Sequence, residues 1–124
     1  MTQRRILVVD DEQDILSFLE KELGAVHSIT TALGGAAAIP LLSKKKFDIV
    51  LTDMRMPDVD GIQVLKMTRT LQPGTEVVFM SGFADLDSVI EAMNEGGFAF
   101  ITKPILVKNL WQRLNAALAV IQSR

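Results

Sequence analysis

Four polar positions have residue types that could do chemistry together: the pair Asp10-Asp11, Asp53, Ser81 and the step Lys103-Pro104. Each closes or follows a short apolar run, namely Ile6–Val9, Ile49–Thr52, Val77–Met80 and Phe98–Thr102. Three carboxylates crowded together raise one another's pKa, and a cation relieves that repulsion. All-oxygen ligation by a few carboxylates is what Mg²⁺ prefers, with Mn²⁺ as the alternative ion. The Lys103 ammonium is a compact point charge suited to a phosphoryl oxygen, and Ser81 offers a donor to a second one. Asp53 is then a candidate covalent nucleophile that forms an aspartyl phosphate. Such a transfer needs in-line approach and neutralised phosphoryl oxygens.

The elements that must bring these residues together alternate in type. Strands are expected at Ile6–Val9, His27–Thr31, Asp48–Thr52, Val77–Met80 and Phe98–Thr102. The second is the most polar and belongs at a sheet edge. Helical periodicity covers about Glu12–Ala25, where Ile15, Leu19 and Leu23 share a face, and then Gly35–Lys45 and Gly61–Leu71. In the fourth helix Leu86, Val89, Ile90 and Met93 fall at i, i+3, i+4 and i+7, with Asp85 as N-cap and Gly96 as stop. Val107, Leu110, Trp111, Leu114, Leu118 and Ile121 make a last amphipathic helix. Pro40 should kink the second helix or delay its start. The pattern is (βα)5, an α/β fold with a doubly wound parallel sheet covered on both faces. In the flavodoxin-like order 2-1-3-4-5 the chain reverses between strands one and three, where ligands bind. Asp10-Asp11 and Asp53 end those two strands.

Composition narrows the function. At 124 residues the chain suits a single domain spanning 1–124. Its net charge of −2 provides no basic field for nucleic acid or an anionic membrane. Lys44-Lys45-Lys46 reads as a solvated helix end. The absence of cysteine removes thiolate metal sites and accords with a reducing, cytoplasmic setting. No run approaches the roughly 18–20 apolar residues of a membrane span, and the start lacks the apolar stretch of a secretory signal.

Taken in order, these segments resemble the receiver domain of two-component response regulators, the family that includes the bacterial chemotaxis receiver. The matching stretches are Ile6–Glu12, Asp53–Gly61, Met80-Ser81-Gly82 and Phe100–Pro104, within about Arg5 to Ile121. The resemblance implies a bacterial phosphorelay protein that switches, and is not a turnover enzyme beyond its own phosphotransfer and dephosphorylation. It implies Asp53 as phosphoacceptor from a histidine kinase. Asp11, Asp53 and the Arg55 carbonyl would hold Mg²⁺, with Asp10 acting through a metal-bound water. Lys103 would bind phosphate beside a cis peptide to Pro104, and Pro57 and Gly61 would belong to the loop over the site. Ser81 and Phe100 take the switch positions that bias the face of the fourth helix, fifth strand and fifth helix. An effector, a protein partner or a second copy would read that face. Arg55 and Phe83 stand where receivers tune dephosphorylation. Gly97 departs from the family's usual Ala and should loosen the lead into the last strand.

Two other classes compete. A Mg²⁺-dependent phosphohydrolase with an aspartyl-phosphate intermediate usually carries a second Asp two residues after the nucleophile, and here that residue is Arg55. A nucleotide or flavin module would need a phosphate-cradling loop, which Gly34-Gly35 does not make. The stretch Gly82–Val89 resembles receivers of the nitrogen-regulator class and those joined to second-messenger phosphodiesterases. The chain ends soon after the last helix, as in a stand-alone receiver or one separated from its effector.

Overall fold

The computed structural model describes residues 3–82 and 85–124. Five strands and five helices alternate: β1 Arg5–Asp10, α1 Gln13–Gly24, β2 Ser28–Leu33, α2 Gly35–Lys44, β3 Ile49–Asp53, α3 Gly61–Leu71, β4 Glu76–Ser81, α4 Leu86–Asn94, β5 Ala99–Thr102 and α5 Val107–Gln122. The strands pair in parallel in the order β2-β1-β3-β4-β5. The expected doubly wound sheet therefore forms, with β2 at one edge and β5 at the other.

Two-residue alternation along each strand separates two cores. Leu7, Val9, Val50, Val77 and Phe79 pack beneath α2, α3 and α4. Ile6, Val8, Leu51, Val78, Met80 and Ile101 pack beneath α1 and α5. Both faces of β1 and β3 are covered, which is why those strands read as unbroken apolar runs.

Local chemistry sets several boundaries. Asp60 and Gln63 form a reciprocal capping box at the start of α3. Gly61 is required there, because a Cβ would lie 2.5 Å from the Asp53 carbonyl oxygen. Gly96, with φ +111°, ends α4 as expected. Pro40 neither ends α2 nor delays its start. Pro40 and Ala36 are both exposed, so water can serve the carbonyl that loses its N–H partner.

Three expectations about the β4–β5 side need correction. Asp85 holds the N-cap position of α4, but its side chain makes no capping bond and pairs with Arg55. The apolar stripe of α4 does not all face the core. Val89 and Ala92 are buried, while Leu86 is 63% and Ile90 51% exposed beside the four-residue β5 edge. Gly97 does not leave slack. A Cβ there would come within 2.6 Å of the Phe79 ring, which fills the space that an alanine methyl would take.

Candidate functional site

β1, β3 and β5 deliver Asp10, Asp53 and Lys103 to one end of the sheet. The Lys103 ammonium lies 3.0 Å from Asp10 Oδ2 and 3.3 Å from Asp53 Oδ2. Asp10 is fully buried, and its other oxygen accepts the Glu12 N–H at 2.9 Å. Asp53 Oδ1 accepts the Met54 N–H at 2.9 Å. In each carboxylate one oxygen is thus tied to backbone and the other faces the lysine. The Lys103-Pro104 peptide is cis.

Burial and the neighbouring Asp10 charge push the Asp53 carboxyl up to about 6, and Lys103 only partly offsets them. Burial likewise raises Asp10, against the Glu12 N–H and Lys103. Burial works to lower Lys103, but its bond to Asp10 and the two carboxylate charges raise it above the usual lysine value. The ammonium is therefore held charged between two carboxylates that would otherwise repel.

Asp11 is exposed beside this group. Carboxylate oxygens of Asp10, Asp11 and Glu12 lie within 4.8 Å of one another, and Asp53 reaches this cluster through Lys103. Glu12 was not among the sequence candidates. The run of three consecutive acids was its only signal, and that run also reads as an ordinary helix start. A cleft of about 440 Å³ adjoins the cluster, lined by Asp11, Arg55, Met56, Pro57, Asp60 and Ser88.

The remaining candidates stand apart from the carboxylates. Ser81 is buried, and its hydroxyl donates to the Gly82 carbonyl at 3.0 Å. Its backbone carbonyl accepts the Lys103 N–H at 2.7 Å, which ties the ends of β4 and β5. Phe100 lies at the surface, 39% exposed. With Ser81, Gly82, Leu86, Val89 and Thr102 it lines a second cavity of about 240 Å³. The Arg55 guanidinium bonds Asp85, a partner that sequence gave no reason to single out. Phe83 lies outside the described residues.

A doubly wound α/β domain with a buried carboxylate–lysine site at its switch point is the class that fold and site define. The chain belongs to the response regulator receiver domain family, whose model matches residues 6–115. It is 36% identical over 119 residues to the response regulator protein PilR of Pseudomonas aeruginosa, covering 95% of this chain and 27% of that protein. It is 38% identical over 104 residues to the DNA-binding transcriptional regulator NtrC of Escherichia coli, covering 82% of this chain and 22% of the relative. A response regulator receiver domain from Clostridium thermocellum superposes with a TM-score of 0.91 at 30% identity, over 96% of this chain and 97% of that one. The chain spans about a quarter of the length of the curated relatives it matches. It is a phosphorylation-activated signalling domain, and the phosphohydrolase alternative finds no support in these matches. Among the described residues, no helix is long and apolar enough to cross a membrane.

Proposed function

We propose that Asp53 accepts a phosphoryl group from the phosphohistidine of a histidine kinase. The observation that carries this reading is Asp53 itself, buried at the end of β3 with one oxygen fixed by the Met54 N–H and the other facing Lys103. With its carboxyl near 6, Asp53 is ionised at pH 7 yet more basic than an ordinary carboxylate. It therefore attacks more readily. The P–N bond breaks as the P–O bond to Asp53 forms, and the imidazole leaves. Lys103 follows the charge from the carboxylate to a phosphoryl oxygen.

The donor set suits Mg²⁺ or Mn²⁺, since it is all oxygen and stands beside the carboxylates of Asp10, Asp11 and Glu12, whose oxygens lie within 4.8 Å of one another. Asp11, Asp53 and the Arg55 carbonyl would hold the ion, with Asp10 acting through water and Glu12 nearby. When bound, the ion neutralises charge developing on the phosphoryl group. Ser81 then turns from the Gly82 carbonyl to the phosphoryl group, Phe100 moves with it, and the face of α4, β5 and α5 changes for an effector or a second copy. The relatives named as transcriptional regulators favour an output in transcription, carried by other segments, with this domain making no nucleic-acid contact. The setting is cytoplasmic. The domain limits its own signal by hydrolysing the acyl phosphate, with Arg55 and Phe83 tuning that rate.

Incubation with phosphoramidate and Mg²⁺, read by intact mass, tests this. Wild type should gain one phosphate and Asp53→Asn none. Equal incorporation in the variant would overturn the assignment.

A further inference from the structure

An aspartate at a helix N-cap normally accepts an N–H of the second or third helical residue. Asp85 occupies that position of α4 without such a bond, at φ −104° and ψ 28°. Its carboxylate, 12% exposed, is held instead by Arg55 Nε, and the Arg55 side chain is 73% exposed. Arg55 lies two residues beyond Asp53 and lines the cleft beside the acidic cluster. The Asp85 backbone is tied to the same region. Its N–H donates to the Gly82 carbonyl at 3.2 Å, the carbonyl that also accepts the Ser81 hydroxyl.

The far end of α4 is fastened differently. Arg69 of α3 donates to the Glu95 carbonyl at 3.2 Å, and Gly96 closes the helix in the left-handed region. Val89 and Ala92 are the buried residues of the helix, and Met93, toward its C-terminal end, packs partly buried against the same core. The N-terminal end is therefore where its stability is contended, and that end carries the exposed Leu86 and Ile90.

We propose that Arg55 is a latch that keeps Asp85 from capping α4, and that a phosphoryl group on Asp53 draws Arg55 away so that Asp85 caps the helix. This rests on the phosphoacceptor reading of Asp53. An ion pair with one partner exposed is weak, and a cap is of similar worth. The two arrangements are thus close in free energy, and a phosphoryl group with roughly two negative charges can tip them. Guanidinium also prefers phosphoryl oxygens as forked acceptors. The consequence is a stiffer first turn of α4, and so a differently ordered surface at Leu86 and Ile90.

Hydrogen exchange of the Asp87 and Ser88 amides, followed by NMR on the full chain, tests the latch. In the unphosphorylated protein Arg55→Met should raise protection at both about fivefold, the worth of one cap. Adding Asp85→Ala should abolish the gain. Unchanged or lower protection in Arg55→Met overturns the proposal without reference to phosphorylation. In a second arm, phosphoramidate and Mg²⁺ are added and intact mass reports phosphate on Asp53. Wild type should then approach the Arg55→Met level, while Arg55→Met itself gains little. Phosphate uptake on Asp53 with no change at Asp87 and Ser88 in wild type also overturns the latch. Failure of uptake counts against Asp53 as acceptor and leaves the first arm to judge the latch.

Discussion

The two sides of the sheet are built to different standards. Every residue of β3 is buried, as is β1 beyond Arg5, and α1 and α3 cover them with three and four buried residues. In β5 only Ile101 is buried, and α4 lays down only two residues. Asp10 and Asp53 stand on the first side, buried at the ends of its strands, while Ser81, Phe100 and Asp85 stand on or against the second. A phosphoryl group needs fixed charges, because misplacement weakens every interaction with it. A response needs an element whose alternatives differ little in free energy. The buried carboxylates and the looser face meet at the ends of β4 and β5, where the Lys103 N–H bonds the Ser81 carbonyl, and at the Arg55–Asp85 pair.

The comparison breaks most visibly under truncation. Leu51→Ala, at a fully buried site on β3, should cost about 3 kcal/mol through lost transfer energy and a cavity. Ile90→Ala, at a half-exposed site on α4, should change stability by under about 0.5 kcal/mol. Urea unfolding measures both. A large loss for Ile90→Ala would mean that α4 is as well anchored as the centre of the sheet.

Charge at the rigid end comes next. Asp53 is pushed up to about 6 from 3.8 in the unfolded chain. The folded protein therefore binds more protons between those values, and stability falls as pH rises through them. The difference corresponds to roughly 2–3 kcal/mol lost by pH 7 without divalent cation. Asp53→Asn keeps the acceptor for the Met54 N–H and carries no charge. It should be more stable than wild type by about 2 kcal/mol at pH 7, converging with it near pH 4. Saturating Mg²⁺ should shrink the gap. An equal gap at both pH values would show that repulsion and burial at Asp53 are not its source.

Gly97→Ala probes the boundary between the sides. Its methyl would stand 2.6 Å from the Phe79 ring, so overpacking should cost about 1–2 kcal/mol. Adding Phe79→Leu should recover part of that. Strict additivity of the two substitutions in thermal unfolding would remove Phe79 as the cause.

The strands and their order were legible because apolar runs with helical segments between them admit few packings. The acidic pair, Asp53 and Lys103 were legible because they close those runs. What escaped depended on partners distant in the chain. The Asp85 position invites an N-cap reading, yet its carboxylate is bonded to Arg55, thirty residues earlier. The α4 stripe looks like a core face until the shortness of β5 is known. Gln72 reads as a helix end, yet its buried amide accepts the Phe47 N–H and donates to the Leu42 and Lys45 carbonyls. Hydrogen bonds spanning 25–30 residues leave no periodic trace.

The smallest expected effect lies far from the acidic site, on the rigid side. His27, 4% exposed, accepts the Arg4 backbone N–H on Nδ1 at 3.2 Å, and its ring lies 6.0 Å from that of Trp111. Burial, and then the Arg4 charge, lower its pKa from 6.5, with Asp48 opposing them. The unfolded chain therefore binds a proton first as pH falls through 6.5, and stability declines from there until the folded imidazole also titrates. A protonated Nδ1 cannot accept the Arg4 N–H, so the start of β1 loses a bond in the same window. Thermal unfolding of wild type and His27→Gln from pH 8 to 5 should show wild type losing stability relative to the variant below pH 6.5. The gap should stay constant above it, and the whole change should be smaller than the three effects above. Parallel curves throughout would mean that His27 is as free to charge in the fold as in the unfolded chain.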